Sequence, residues 1–215
     1  MSPIVSIVIP CYNKVAYVAA AIESALSQTA DCEVIVIDDG STDGSLEAIR
    51  HFDGRIRWET GPNRGGSAAR NRGLTLAEGR FIQFLDADDI LPADKVALQL
   101  ARLAGAPVDT IALCPWSVLH DDGRIEAPDT RRYWRDHADG LSLLLEMWTL
   151  GGFFPPHAWL VPPRADRGRG SLGRTPDRRR RRGVLRTAAH AGWAGPVHAR
   201  GPRPLPLAPR GLGQP

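Results

Sequence analysis

Several things are missing or scarce in this 215-residue chain, and each absence narrows the reading. There are three cysteines, Cys11, Cys32 and Cys114, widely spaced and odd in number. That pattern fits buried thiols in a reducing compartment better than a disulfide or zinc framework. No run approaches 18 apolar residues, so no transmembrane helix is expected. The N-terminus, MSPIVSIVIPCYN, lacks a basic stretch followed by a long apolar core and does not read as a signal peptide. A cytoplasmic protein is the expectation. Neither a Walker loop nor a G-x-G-x-x-G is present, so a P-loop or dinucleotide fingerprint is not supported.

Lysine and acidic residues are also missing from one end. Residues 164–215 hold 13 Arg, no Lys and only Asp166 and Asp177, a net of +11. Residues 1–163 carry 14 Lys+Arg and 22 Asp+Glu, a net of −8. The overall +3 therefore averages two unlike parts. The last 52 residues also hold 7 Pro and 9 Gly, a composition typical of disordered sequence. The division is a domain over 1–163 and a basic, mostly disordered tail over 164–215. The chain as a whole is 43% hydrophobic, the fraction of a globular protein, and long enough to bury a core without disulfide or metal staples.

What is present is an alternation of strands and helices. Ile4–Pro10 and Glu33–Asp38 are short, nearly continuous apolar runs, the pattern of strands buried on both faces. Between them Val15, Val18, Ile22 and Leu26 recur at helical spacing, with Asn13 as a candidate cap. Further strands are predicted at Arg55–Glu59, Arg80–Leu85 and Thr110–Leu119. Further helices are predicted at Ser45–His51, Ala68–Glu78, Pro92–Ala104 and Leu141–Leu150, with a hairpin turn at Asp122-Gly123. This order argues for an α/β fold with a mainly parallel, Rossmann-like sheet flanked by helices.

Three polar clusters follow predicted strands: Pro10–Asn13, Asp38–Asp43 and Asp86–Asp89. Ligands of open parallel sheets bind beyond these carboxyl ends. Asp86-Ala87-Asp88-Asp89 follows the apolar Phe81-Ile82-Gln83-Phe84-Leu85, and its crowded carboxylates call for a cation. Oxygen ligands suit Mg²⁺ or Mn²⁺ bridged to substrate phosphates; in isolation the same D-x-D is often a solvated turn. The stretch Asn63-Arg64-Gly65-Gly66-Ser67-Ala68-Ala69-Arg70-Asn71 opens a helix and favours anions. Trp116, Trp148 and Trp159 are expected in the core rather than on an acceptor wall. His157 is read as structural before it is read as an acceptor contact, and His120 as a strand end.

Four stretches taken together carry a resemblance: Val5–Asn13, Val36–Asp43, Asn63–Asn71 and Phe84–Asp89. In order and spacing they resemble the family 2 glycosyltransferases, which have the GT-A fold. The resemblance covers residues 3 to about 120 well and reaches about 163 more loosely. It implies transfer of a sugar from a nucleotide-sugar donor, UDP-, GDP- or TDP-linked, to an acceptor hydroxyl on a glycan or lipid-linked saccharide. It places Pro10 and Tyr12 by the nucleotide and has Asp39 hydrogen-bond the base. It has Arg70 contact the nucleotide or its phosphates, sets Asp86 near the ribose and sugar, and gives Asp88 the divalent metal. Peripheral association with the inner face of a membrane is compatible with it; a specific nucleic-acid partner is not expected.

The resemblance stops near residue 163. Members of the family continue with a Gly-x-Trp/Phe-Asp-Glu segment and an acidic pair that supplies the catalytic base. This chain has Arg178–Arg182 instead, so no catalytic residue is assigned and transfer activity is expected to be impaired. A reading-frame shift accounts for the departure. With permitted codons, dropping one base turns Arg179–Arg186 into Asp-Asp-Gly-Glu-Glu-Phe-Phe. The same shift turns Gly170–Pro176 into Gly-Pro-Trp-Asp-Glu-Arg. Two alternatives stay open: a nucleotidyltransferase of related fold, or a nucleic-acid- or anionic-membrane-binding protein using the arginine tail.

Overall fold

The computed structural model describes residues 3–120, 122–126, 135–151 and 153–162, and the backbone of Arg186–Ala188 and Val197–Ala199. The chain opens with β1 (Val5–Cys11), α1 (Val18–Leu26), β2 (Cys32–Asp38), α2 (Ser45–Arg50), β3 (Arg57–Thr60), α3 (Gly66–Leu76) and β4 (Phe81–Phe84). Strand β1 lies centrally, parallel to β2 on one side and β4 on the other, and β2 is parallel to β3. Its side chains alternate between two cores. Val5, Ile7, Ile9 and Cys11 pack on one face with Val18, Ala21 and Ile22 of α1. Val8 turns to the other face, with Ile35 of β2 and Ala69 and Leu76 of α3. Burial on both faces is why β1 and β2 read as unbroken apolar runs.

The rest of the order is β5 (Asp89–Ile90), α4 (Lys95–Leu103), β6 (Thr110–Leu113), β7 (Ser117–Leu119), β8 (Ile125–Glu126), α5 (Gly140–Leu150), β9 (Trp159–Val161), β10 (Arg186–Ala188) and β11 (Val197–Ala199). The large sheet runs β10-β6-β9-β4-β1-β2-β3, and a small one runs β5-β11-β7-β8. The α/β, mainly parallel sheet flanked by helices is thus present.

Three expectations are corrected. Helix α1 begins at Val18 rather than just after Asn13, which sits in the preceding loop at a φ of 51° and caps nothing. The strand expected over Thr110–Leu119 is two, β6 and β7, which belong to different sheets. Strand β9, not foreseen, inserts antiparallel between β4 and β6. Within residues 164–215 the described backbone forms two three-residue strands: β10 pairs with β6, and β11 with β5 and β7. Otherwise the tail, including Arg178–Arg182, lies outside the described residues.

Gly79 shows how tightly the closed part fits. Its N–H donates to Ser6 Oγ at 2.8 Å, and a Cβ there would stand 2.4 Å from the Ser6 backbone nitrogen. Among the described residues, no helix is long and apolar enough to cross a membrane.

A candidate donor cleft at the strand ends

Two loops are tied together beside the ends of β1 and β2. The Asn13 N–H donates to Ser41 Oγ (3.0 Å), and Asn13 Oδ1 accepts from the Thr42 N–H (2.8 Å). The Lys14 N–H donates to Ser45 Oγ (2.8 Å), and the Val15 N–H to Asp43 Oδ2 (3.0 Å). Burial alone would raise the Asp43 carboxyl; hydrogen bonds from Ser45 and Val15 outweigh it and hold the group below its ordinary value. The Asp-Gly-Ser-Thr-Asp turn therefore serves to fix the loop after β1.

The next residues back fix the third segment. Asp38 is buried, accepting from Thr60 Oγ1 (2.6 Å) and the Ser41 N–H (3.2 Å). Asp39, only 7% exposed, accepts from the Arg64 N–H (2.9 Å) and the Gly65 N–H (2.7 Å), one on each oxygen. Gly40 lets the two loops approach. It sits at a φ of +79°, and a Cβ there would meet the Asn63 nitrogen at 2.9 Å. Asp39 thereby sets where α3 starts, and α3 carries Arg70.

All six residues singled out from sequence meet here. Pro10, Tyr12, Asp39, Arg70, Asp86 and Asp88 line one open cleft of about 240 Å³, with Lys14, Gly66 and Ala69. Arg70 Nη2 lies 2.5 Å from Asp86 Oδ1, and Lys14 Nζ 2.7 Å from Asp88 Oδ2. The hydrogen bond to Asp88 holds the Lys14 amine above its ordinary value. Lys14 is the residue sequence reasoning passed over. Its only signal was its place directly after Asn13, in the loop after β1. Cys11 also borders the cleft, but burial pushes its thiol up to about 11, so it is inert there.

The lining tests whether a divalent cation fits. The lining sets three carboxylates, Asp39, Asp86 and Asp88, against two cations, Lys14 and Arg70, a net negative balance that a cation would offset for an anionic ligand. Arg70 Nε is buried without a hydrogen-bond partner, a donor waiting for an acceptor. No cluster of three or more His, Cys, Asp or Glu able to hold a metal occurs among the described residues. Mg²⁺ and Mn²⁺ do not need such a cage, since they bind through one or two carboxylates, substrate phosphates and water. The donor set fits a cation that arrives with an anionic ligand.

Other residues fall elsewhere. His157 does not face the cleft; it is fully buried beside Asp89. His120 follows β7, with Glu126 3.3 Å from its ring. Trp159 packs against Phe154, centroids 5.3 Å apart, and Trp116 donates to the Phe153 carbonyl (3.2 Å). Trp148 is not a core residue: 90% of it is exposed on α5.

The comparisons with known proteins bear on this cleft. The model of Glycosyl transferase family 2 matches residues 6–162. The chain belongs to that family. An uncharacterized glycosyltransferase of Rickettsia felis is 46% identical over 99 residues, 45% of this chain and 16% of that protein. A chondroitin synthase of Pasteurella multocida is 44% identical over 102 residues, 46% of this chain and 11% of that protein. The chain thus spans a small fraction of the length of these relatives. Among solved structures, S. aureus TarS 1-349 in complex with UDP-GlcNAc aligns with a TM-score of 0.64 at 16% identity, over 94% of this chain and 60% of that one. That likeness concerns the fold, which is GT-A. The four stretches that carried the resemblance all fall within or at the edge of the matched region.

Proposed function

We propose that this chain binds a nucleotide-sugar donor in the cleft and belongs to an enzyme that transfers the sugar to an acceptor hydroxyl. The observation that carries the reading is the convergence of Pro10, Tyr12, Asp39, Arg70, Asp86 and Asp88, drawn from four separate segments, on one cleft. Family membership supports it, and the TarS neighbour binds a donor of this class.

In this reading Tyr12 and Pro10 flank the nucleotide, and Asp39 takes a hydrogen bond from the base with lone pairs not used by Arg64 and Gly65. Arg70 meets the phosphates through its guanidinium, including the unpaired Nε. Asp88, with Asp86 beside it, would hold Mn²⁺ or Mg²⁺. Such a cation supplies neutralisation of the charge that builds on the departing nucleoside diphosphate. Lys14 and Arg70 exchange their carboxylate partners for the incoming anion and keep it oriented.

No acidic pair follows Pro163 in the sequence, and we infer a frame shift in the gene as its cause. Donor binding is then retained and transfer impaired, for want of a base to take the acceptor proton. Resequencing through codons 160–170 checks this; an unbroken frame encoding the arginine tail in independent reads overturns it.

The test of the donor site is calorimetric titration of UDP, GDP and TDP, each with and without Mn²⁺. One nucleotide should bind the parent in a metal-dependent way, and Asp88→Ala should weaken that binding by at least about tenfold. If none of the three binds with metal dependence, the donor-site reading fails.

A further inference from the structure

The last acidic residue of the Asp86–Asp89 turn points away from the cleft. Asp89 and His157 are both fully buried, with Asp89 Oδ2 2.5 Å from His157 Nδ1. The pair joins segments 68 residues apart. Asp89 ends the acidic turn, its N–H donating back to the Asp86 carbonyl (3.0 Å). His157 belongs to a short 3₁₀ turn, Pro156–Ala158, that leads into β9. Burying a carboxylate with an imidazole is costly unless the geometry is well made, and breaking such a pair costs more.

The backbone that carries the imidazole is held as well. Gln83 Nε2 donates to the His157 carbonyl (3.1 Å), and the buried ammonium of Lys95 donates to Gln83 Oε1. Gln99 Nε2 donates to the carbonyls of Ala112 (3.0 Å) and Ala158 (3.1 Å), and the Cys114 N–H donates to the same Ala158 carbonyl (3.1 Å). Buried polar side chains are costly unless they are hydrogen-bonded, and these amide donors are. Here they converge on the backbone of residues 157–158.

We infer that His157 is a positioning residue for the donor site: it anchors Asp89 and thereby sets where Asp88 stands. Asp88 is the adjoining residue, and its carboxylate borders the cleft. A shift of the Asp89 side chain out of its seat turns the peptide between the two and carries Asp88 with it. The inference rests on the role proposed above for Asp88. It assigns work to the part of the matched region after Asp88, of which no described residue lines the cleft.

The test compares His157→Asn, His157→Ala and Asp89→Asn with the parent. Asparagine places its amide N–H where Nδ1 stands, so it can still serve Asp89. The first readout is Mn²⁺-dependent nucleotide affinity, by calorimetry and by the electron spin resonance of free Mn²⁺. His157→Ala should weaken it about tenfold, the lower end of what supporting residues contribute at metal sites, and His157→Asn should restore most of it. Asp89→Asn should fall between, having lost the charge-assisted bond. The second readout needs no ligand: amide exchange at Asp89 should quicken in His157→Ala while Val8 and Ile35 in the sheet keep parent protection. Parent affinity and parent exchange at Asp89 in His157→Ala overturn the inference. If His157→Ala does not fold, His157→Asn and Asp89→Asn decide, and parent affinity in Asp89→Asn overturns it. If the parent binds no nucleotide, the donor-site reading fails, and amide exchange at Asp89 still decides whether His157 sets the turn.

Discussion

Helices α1 and α5 are both built largely from apolar residues, yet they end up in different situations. Helix α1 hides Val18, Ala21, Ile22 and Ala25 against β1 and β2. Helix α5 buries Leu143 and leans Met147 and Leu150 on the same small core as Phe154 and Ala158. Its opposite face leaves Leu141, Leu144, Leu145 and Trp148 more than half exposed, with Phe153 close behind in sequence. Those four positions follow one helical stripe. A helix apolar all round is built for cover on both sides. The difference teaches that the first half satisfies its own apolar surface, whereas the second, as described, does not.

The largest effect that would test this contrast is expected from Ile22→Ala. It should cost about 2–5 kcal/mol in urea unfolding, as deletion from a sealed core does. A cost below that range would mean that α1 is less sealed than it looks. Gly79→Ala comes next, at about 1–3 kcal/mol, because the added methyl meets the backbone of Val5 and Ser6 and neither can swing away. A neutral result there would show that the turn before β4 has slack.

Lys95 sharpens the comparison from within the sealed part. Burial pushes its amine down to about 8 from 10.5, so the unfolded chain binds more protons between those values. Stability should therefore rise as pH rises through that window. From pH 7 to pH 9 the parent should gain about 1 kcal/mol that Lys95→Met lacks, seen in urea unfolding at both values. Burial raises the thiols of Cys11 to about 11 and of Cys32 and Cys114 to about 12, which lowers stability above their ordinary value of 9.0. The Lys95 charge itself lowers the Cys32 and Cys114 thiols, so only the Cys11 part is common to both chains and cancels in the difference. A flat difference would show that water reaches Lys95. The smallest effect belongs to α5: Trp148→Ser should change stability by less than about 0.5 kcal/mol while reducing aggregation in light scattering. A larger loss would mean that something in the chain already covers that face.

The sequence made the sealed half legible because its signals are local. Ile4–Pro10 and Glu33–Asp38 carry no polar break, so their burial on both faces could be read directly. The cleft was legible for the same reason: Pro10, Tyr12, Asp39, Asp86 and Asp88 each sit within a few residues of a strand end. What stayed hidden depends on distant partners. Asn13 looked like a helix cap because nothing nearby shows that its carbonyl would be taken by Thr42. Trp159-Leu160-Val161 is too short to announce a strand that fits between β4 and β6. His157 and Asp89 have no pattern in common, and only the folded chain reveals the pair. Trp148 misled because residue type predicts burial only on average.

The insertion of β9 has a consequence in time. Strands β4 and β6 are both made early, but neither pairs with the other; each pairs with a strand that ends at Val161. During synthesis the centre of the sheet must wait, open between its two halves, until that residue has left the ribosome. A chain released before Val161 would expose two bare strand edges side by side. A chain altered only beyond it could still zip that gap shut.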